Sequence, residues 1–434
     1  MNHLPSRKRL LRSVQSTALA FGLAMMLPAC SVSTSEAEAQ EPASERLYRL
    51  DYVVRPDYAA KGVHVEVTVK QAGYWLREMD MPLQDGRISR VSGDGNVSTE
   101  GDRAVWSIPE RGGKLRWFAL INNKRNGDSY DAYIDRDWAL FRGMDAIPSA
   151  RTKALRRAES RTSLRFDLPD GWSSATPYYG RDDGYEINNP DRSFDTPTGW
   201  IVLGDIGVRN ERIGHVLAKV AGPTGHSIRR MDMLALMRWN LPELLRVLPD
   251  FPERLTFISA GDPMWRGALS APNSFYIHAD RPLISENATS TMLHETVHVG
   301  LGLTAEAGAD WIVEGLAEYY SLEMLRRSGT IGERRYRRAH AELQAWGRDV
   351  KELCTPRSSG SNTARAVTVI SEVAGEISKL SGGKSSIDDV LRALASYEEK
   401  ITVEKFREIV ADIAGDRVEA LKTKKLPGCR GTAL

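Results

Sequence analysis

Cysteine is scarce in this chain: three in 434 residues, at positions 30, 354 and 429. So few exclude a fold built on many disulfides. Neither sign of charge dominates, with 59 Lys and Arg against 57 Asp and Glu. That balance gives no reason to expect nucleic acid as a partner, and no acidic surplus to attract cations. Long apolar runs are missing too. The one stretch that stands out, from about Ala18 to Leu27, is too short to span a bilayer. Internal repeats and biased tracts are absent, and the composition is that of an ordinary globular protein.

The apolar stretch follows Arg7, Lys8, Arg9 and Arg12, so residues 1–30 read as an export signal to be kept out of the fold. Leu27-Pro28-Ala29-Cys30 resembles a bacterial lipobox with Cys30 as the candidate lipidation site, although proline at its second position is atypical. Ordinary cleavage after Ala37-Glu38-Ala39 is the competing reading. Both place the chain outside the cytoplasm, in the bacterial envelope or secreted, with the membrane touched only through an N-terminal lipid anchor. Removing Cys30 from the count leaves Cys354 and Cys429 as a candidate disulfide, which an oxidising compartment would preserve.

Residues 31–45, rich in Ser, Glu, Ala and Pro, read as a flexible tether. From Arg46 to about 150, short runs of branched and aromatic residues alternate with turn signals such as Asp94-Gly95 and Gly112-Gly113. Val63, Val65, Val67 and Val69 keep strict period two. This is the pattern of an antiparallel β domain, a sandwich by expectation. Residues 151–330 mix strand runs (163–168, 199–203, 254–259, 274–278) with a helix over 231–247 that Pro242 should break early. Beyond Asn287 the pattern is almost wholly helical, so 331–434 form a C-terminal helical subdomain, with Ser386 and Thr402 as helix caps. The clustered Arg334, Arg335, Arg337 and Arg338 read as a solvated helix face. Gly382-Gly383-Lys384-Ser385 has the ending of a phosphate-binding loop, but the first glycine that motif needs would fall at Ser378 and no strand leads into it.

The chemistry is concentrated in His294-Glu295-Thr296-Val297-His298. On a helix, residues four apart share a face, so both imidazoles can bind one Zn²⁺ while Glu295 reaches a water on the ion. Leu293, Val297 and Leu301 form the stripe that would bury this helix, and Gly300 and Gly302 should end it. A catalytic zinc site wants three protein ligands and one open position. Glu314, in Trp311-Ile312-Val313-Glu314-Gly315-Leu316-Ala317-Glu318-Tyr319-Tyr320, is the candidate third ligand. Glu318, one turn on, is placed to accept the other ring N–H of a liganding histidine.

These two segments resemble the gluzincin zinc metallopeptidases, in particular the glycyl aminopeptidase family and more distantly the aminopeptidase N-like family, firmly over residues 287–325 and loosely over 362–425. The resemblance implies one zinc per chain held by His294, His298 and Glu314, with Glu295 as base activating a zinc-bound water, and peptides or proteins as substrates. It also implies the fold class, multidomain α+β: a β-sandwich-like N-terminal domain, then a thermolysin-like catalytic domain with a mixed sheet, then a C-terminal helical bundle. Fifteen residues separate His298 from Glu314, fewer than is usual in these families.

Two departures bear on activity. The tyrosine that such families use to bind the oxyanion is replaced by Thr363 in Thr363-Ala364-Arg365-Ala366, leaving Tyr319, Tyr320, Tyr336, Tyr397 and His340 as candidate substitutes. Gly267, Ala268, Leu269 and Ser270 occupy the place of the substrate-binding strand but lack the glutamate that holds a free amine. A zinc peptidase, aminopeptidase or endopeptidase, is therefore one reading, and a zinc-holding pseudo-peptidase that binds peptides or envelope partners is the other.

Overall fold

Alternation of apolar and polar residues dictates the first half of the molecule. In the computed structural model, which describes residues 46–181, 184–189 and 193–429, Val63, Val65, Val67 and Val69 all point into a core, as do Tyr48, Leu50, Tyr52 and Val54 opposite them. Strand Gly62–Lys70 lies between Arg46–Asp57 and Gly112–Leu120, antiparallel to both, in a seven-stranded sheet. A four-stranded and a five-stranded sheet share the same core through Met79, Trp106, Phe141 and Leu203, which makes the region a β sandwich in kind. Strand pairing carries it beyond residue 150. Ala158–Phe166 runs parallel to Arg46–Asp57, and Trp200–Gly204 pairs with Trp138–Arg142.

A second five-stranded sheet follows, in the order Ile206–Ile213, Val216–Pro223, Arg254–Ala260, Ser274–His278, Ala268–Ala271. Its two inner pairings are parallel and its two outer ones antiparallel, so Ala268–Ala271 is an edge strand. Eight helices occur among the described residues: α1 (Gly143–Ala146), α2 (Arg230–Val247), α3 (Thr291–Leu301), α4 (Asp310–Arg327), α5 (Glu333–Gly347), α6 (Ser361–Leu380), α7 (Ile387–Ala395) and α8 (Val403–Ala414). Helix α2 is the crossover between two parallel strands. It continues through Pro242 rather than breaking there, because Leu241, Leu244 and Val247 bury one continuous face. Ser386 and Thr402 cap α7 and α8 through their side chains, and Gly415 ends α8 in the left-handed conformation. Gly382–Ser385 is the turn between α6 and α7. No helix among the described residues is long and apolar enough to cross a membrane. The signal, lipobox, Cys30 and tether readings lie outside the described residues.

An ionic network joins the helices behind the site. Glu323 of α4, 3% exposed, accepts from Arg326 at 2.7 Å, from Arg327 at 2.8 Å, and from the Tyr336 hydroxyl on α5. Arg327 also grips Asp388 of α7 at 2.9 Å. Burial alone would raise the Glu323 pKa, but these donors outweigh it and bring it down from 4.5 to about 2. The stabilisation is therefore complete above pH 4.5 and is lost as the pH falls toward 2. Glu323→Gln is expected to cost on the order of 3 kcal/mol at pH 7 in urea unfolding, with the gap to the parent narrowing at pH 3. A gap that does not change with pH would mean the carboxylate charge is not what matters there.

Candidate active site

Helix α3 brings the first three chemical groups together. Ser290 caps it, accepting from the Leu293 N–H, and Gly302 ends it with φ +60°. Gly300 does not end the helix. It lies inside it because a Cβ there would sit 2.6 Å from the Phe251 ring. Leu293, Val297 and Leu301 are buried, which turns His294 and His298 outward toward α4. Gly315 does for α4 what Gly300 does for α3. A Cβ there would come within 2.8 Å of the Ala366 methyl, so its absence lets α6 pack close beside the Glu314 turn.

The three candidate ligands converge. His294 Nε2 and His298 Nε2 are 3.0 Å apart, with the Glu314 carboxylate 3.3 Å from the first and 3.4 Å from the second. Nitrogen and oxygen ligands at about 2.0–2.1 Å from a tetrahedral ion lie about 3.3–3.4 Å from one another, so the spacing fits Zn²⁺. Across the ring, His294 Nδ1 donates to Glu318 Oε2 at 2.9 Å, which leaves Nε2 free to ligate. Burial opposes a proton on His294, yet Glu314 and Glu318 outweigh it and hold its pKa well above the usual histidine value. Burial likewise works to raise the Glu314 pKa, but both histidines pull it far below the carboxylate range. These residues could hold a divalent metal.

Glu295 stands apart from them, 7% exposed, and burial raises its pKa against the opposing pull of His298 and His294. The Ser270 side chain of the edge strand adds a smaller pull in the same downward direction. Of the four candidate substrate-strand residues, Ala268 lines the cleft and Ser270 meets Glu295. Gly267 makes room for the Trp265 ring, which a Cβ would strike at 2.1 Å, and the Leu269 carbonyl accepts from Trp200.

The cleft over these groups measures about 320 Å³. One wall comes from Trp265, Ala268 and Arg281, the other from Trp346, Thr363 and the segment Ser358–Gly360. No tyrosine lines it. Tyr320 is bonded to Asp388, Tyr336 to Glu323 and Tyr397 to Glu399, while Tyr319 packs against Tyr320 and His340 against Tyr336. None of the five candidate substitutes reaches the cleft.

No protein-family profile matches the sequence, and no curated protein does. Solved structures do. An aminopeptidase N family protein from Idiomarina loihiensis superposes with a TM-score of 0.60 at 15% identity, covering 88% of this chain and 74% of that one. An M1 zinc metallopeptidase from Deinococcus radiodurans gives 0.56 at 14% identity, covering 89% and 94%. The chain has the fold of these enzymes. Its multidomain α+β architecture, with a β sandwich ahead of a mixed sheet and a helical region, is the one expected of a gluzincin.

Several lining residues escaped the sequence reading, Trp265, Arg281, Trp346 and Ser358 among them. Arg281 and Trp265 sit in loops with no motif to mark them. Ser358 lies ahead of α6, and its Oγ is buried with no hydrogen-bond partner. A Ser-Ser-Gly run before a helix signals only a cap, so nothing local would single it out.

If the Glu318 bond orients His294, then Glu318→Ala should weaken zinc binding by about 10- to 100-fold. Competition with a chromogenic chelator measures this, and an unchanged affinity would assign Glu318 to packing.

Proposed function

We propose that this chain is a zinc-dependent peptidase that hydrolyses peptide bonds outside the cytoplasm. The observation that carries the reading is the convergence of His294, His298 and Glu314 at ligand spacing with Glu295 buried beside them. The names of the structural neighbours, a zinc metallopeptidase and an aminopeptidase N family protein, support it.

Zn²⁺ held by those three residues would supply Lewis acidity to the scissile carbonyl and lower the pKa of water to about 7. Glu295 takes a proton from the attacking water and passes it to the leaving amine. Ser270 favours the ionised form of that carboxylate, and the edge strand that carries it offers unpaired backbone groups for an extended peptide to lie against. Glu318 keeps His294 in one tautomer. On the far wall the Thr363 side chain is the group at hand for a developing oxyanion. Export is part of the proposal, supported by the basic-then-apolar first thirty residues and by the Cys354–Cys429 disulfide.

The second reading, a zinc-holding protein that binds peptides without cutting them, draws on the absence of any tyrosine from the cleft. Retention of Glu295 weighs against it, because a structural site needs ligands and no base. Incubating the purified protein with a mixed peptide library, with and without a chelator, decides between them. Cleavage that stops on chelation and returns with zinc is expected. Intact peptides beside about one bound zinc per chain would establish the binder.

A further inference from the structure

The carboxylates that line the cleft are all committed. Glu314 faces both imidazoles, Glu318 accepts from His294, and Glu295 is buried against Ser270. None is left to receive the ammonium group of a peptide N-terminus, and the edge strand supplies no other acid. The remaining charge in the cleft is Arg281, exposed, whose guanidinium makes no ion pair among the described residues.

Asn287 belongs to this cleft and also to an adjoining groove lined by Arg334, Arg335 and Arg338. Arg338 is engaged by Glu342 at 2.7 Å. Arg335 donates only to the Ser285 carbonyl at 2.9 Å, and Arg334 has no ion pair among the described residues. Two exposed carboxylates line the groove, and with Glu342 taken by Arg338 only Glu286 stands against these two. Three guanidinium groups without a carboxylate partner among the described residues therefore border two cavities that meet at Asn287, and their planar forks match carboxylates in geometry.

We propose that the cleft selects anionic peptides, recognising Asp or Glu side chains near the scissile bond through Arg281 and, past Asn287, through Arg334 and Arg335. This rests on the peptidase reading and names its substrate class: acidic segments within a chain, rather than free N-termini.

The test uses the full chain and peptides blocked at both ends, matched except for Asp and Glu in place of Asn and Gln around the cut. A neutral peptide with a free C-terminal carboxylate completes the set. An acidic-to-neutral ratio in kcat/KM of about fivefold at low ionic strength is expected, fading at high salt. Arg281→Glu should reverse it. Arg337→Ala should not change it, since Arg337 is paired with Glu333 outside the groove. Fluorescence anisotropy of the same peptides on the Glu295→Gln protein reads the preference without turnover. Tighter binding of the acidic peptide, lost in Arg281→Glu, would uphold the proposal even if the parent cut nothing, and only the peptidase reading would then fall. Equal or undetectable binding of acidic and neutral peptides overturns it. So does a gain confined to the free C-terminal carboxylate.

Discussion

Replacing Glu295 by glutamine is expected to lower peptide hydrolysis by about two to four decades while zinc stays at about one per chain. The amide keeps the size of the buried carboxylate, so the fold around it should not change. What it loses is the ability to take a proton. No other carboxylate lining the cleft is placed to replace it, because Glu314 is held between the two histidines and Glu318 is bonded to Nδ1 on the far side of the His294 ring. Metal analysis beside a rate measurement separates the outcomes. A slow variant with full zinc identifies Glu295 as the base. A slow variant that has lost zinc would show instead that Glu295 supports the ligands. A variant as fast as the parent would remove it from the reaction and leave the mechanism without a base.

The candidate metal site was legible because it is local. Four-residue spacing on one helix fixes the two imidazoles, and a second helix with its own buried stripe fixes Glu314 and Glu318. Strand runs such as Val63 to Val69 were legible for the same reason, since period two needs no knowledge of the partner. Pairing was not. That Arg46–Asp57 accepts Ala158–Phe166 as a parallel neighbour depends on a connection of a hundred residues, and no local signal at residue 150 records it. The helix across Pro242 was misjudged on similar grounds: a propensity penalty is local, while the burial of Leu241, Leu244 and Val247 that overrides it comes from the sheet. The far wall of the cleft is the extreme case. Ser358, Thr363 and Trp346 share a cleft with His294 and Glu314 only through packing of α5 and α6, so sequence could offer a choice of five substitutes for the missing tyrosine and every one of them lies elsewhere.

Cleaving the bond between Cys354 and Cys429 should damage both stability and the site. The loop it closes spans 75 residues, for which chain entropy alone gives about 4.5 kcal/mol, an upper figure that strain or residual structure reduces. The bond is also one of several ties on the segment that leads to the cleft wall, where Asn362 of α6 donates to the Glu352 carbonyl at 3.2 Å and to the Thr355 hydroxyl at 3.0 Å. Leu353 N–H donates to the Pro427 carbonyl at 2.7 Å, and Ser358 N–H donates to Asp310 on the first turn of α4 at 2.6 Å. Ser358, Ser359 and Gly360 then line the cleft that also holds His294 and Glu314. With both cysteines changed to serine, the midpoint of urea unfolding should fall by an amount corresponding to about 2–4 kcal/mol. KM for peptides should rise, and zinc affinity should hold, because no ligand sits on that segment. A loss of stability with KM unchanged would mean that the remaining ties position the wall without it. A loss of zinc would mean that the C-terminal tail supports α4 directly, through the Asp310 turn that opens the helix carrying Glu314.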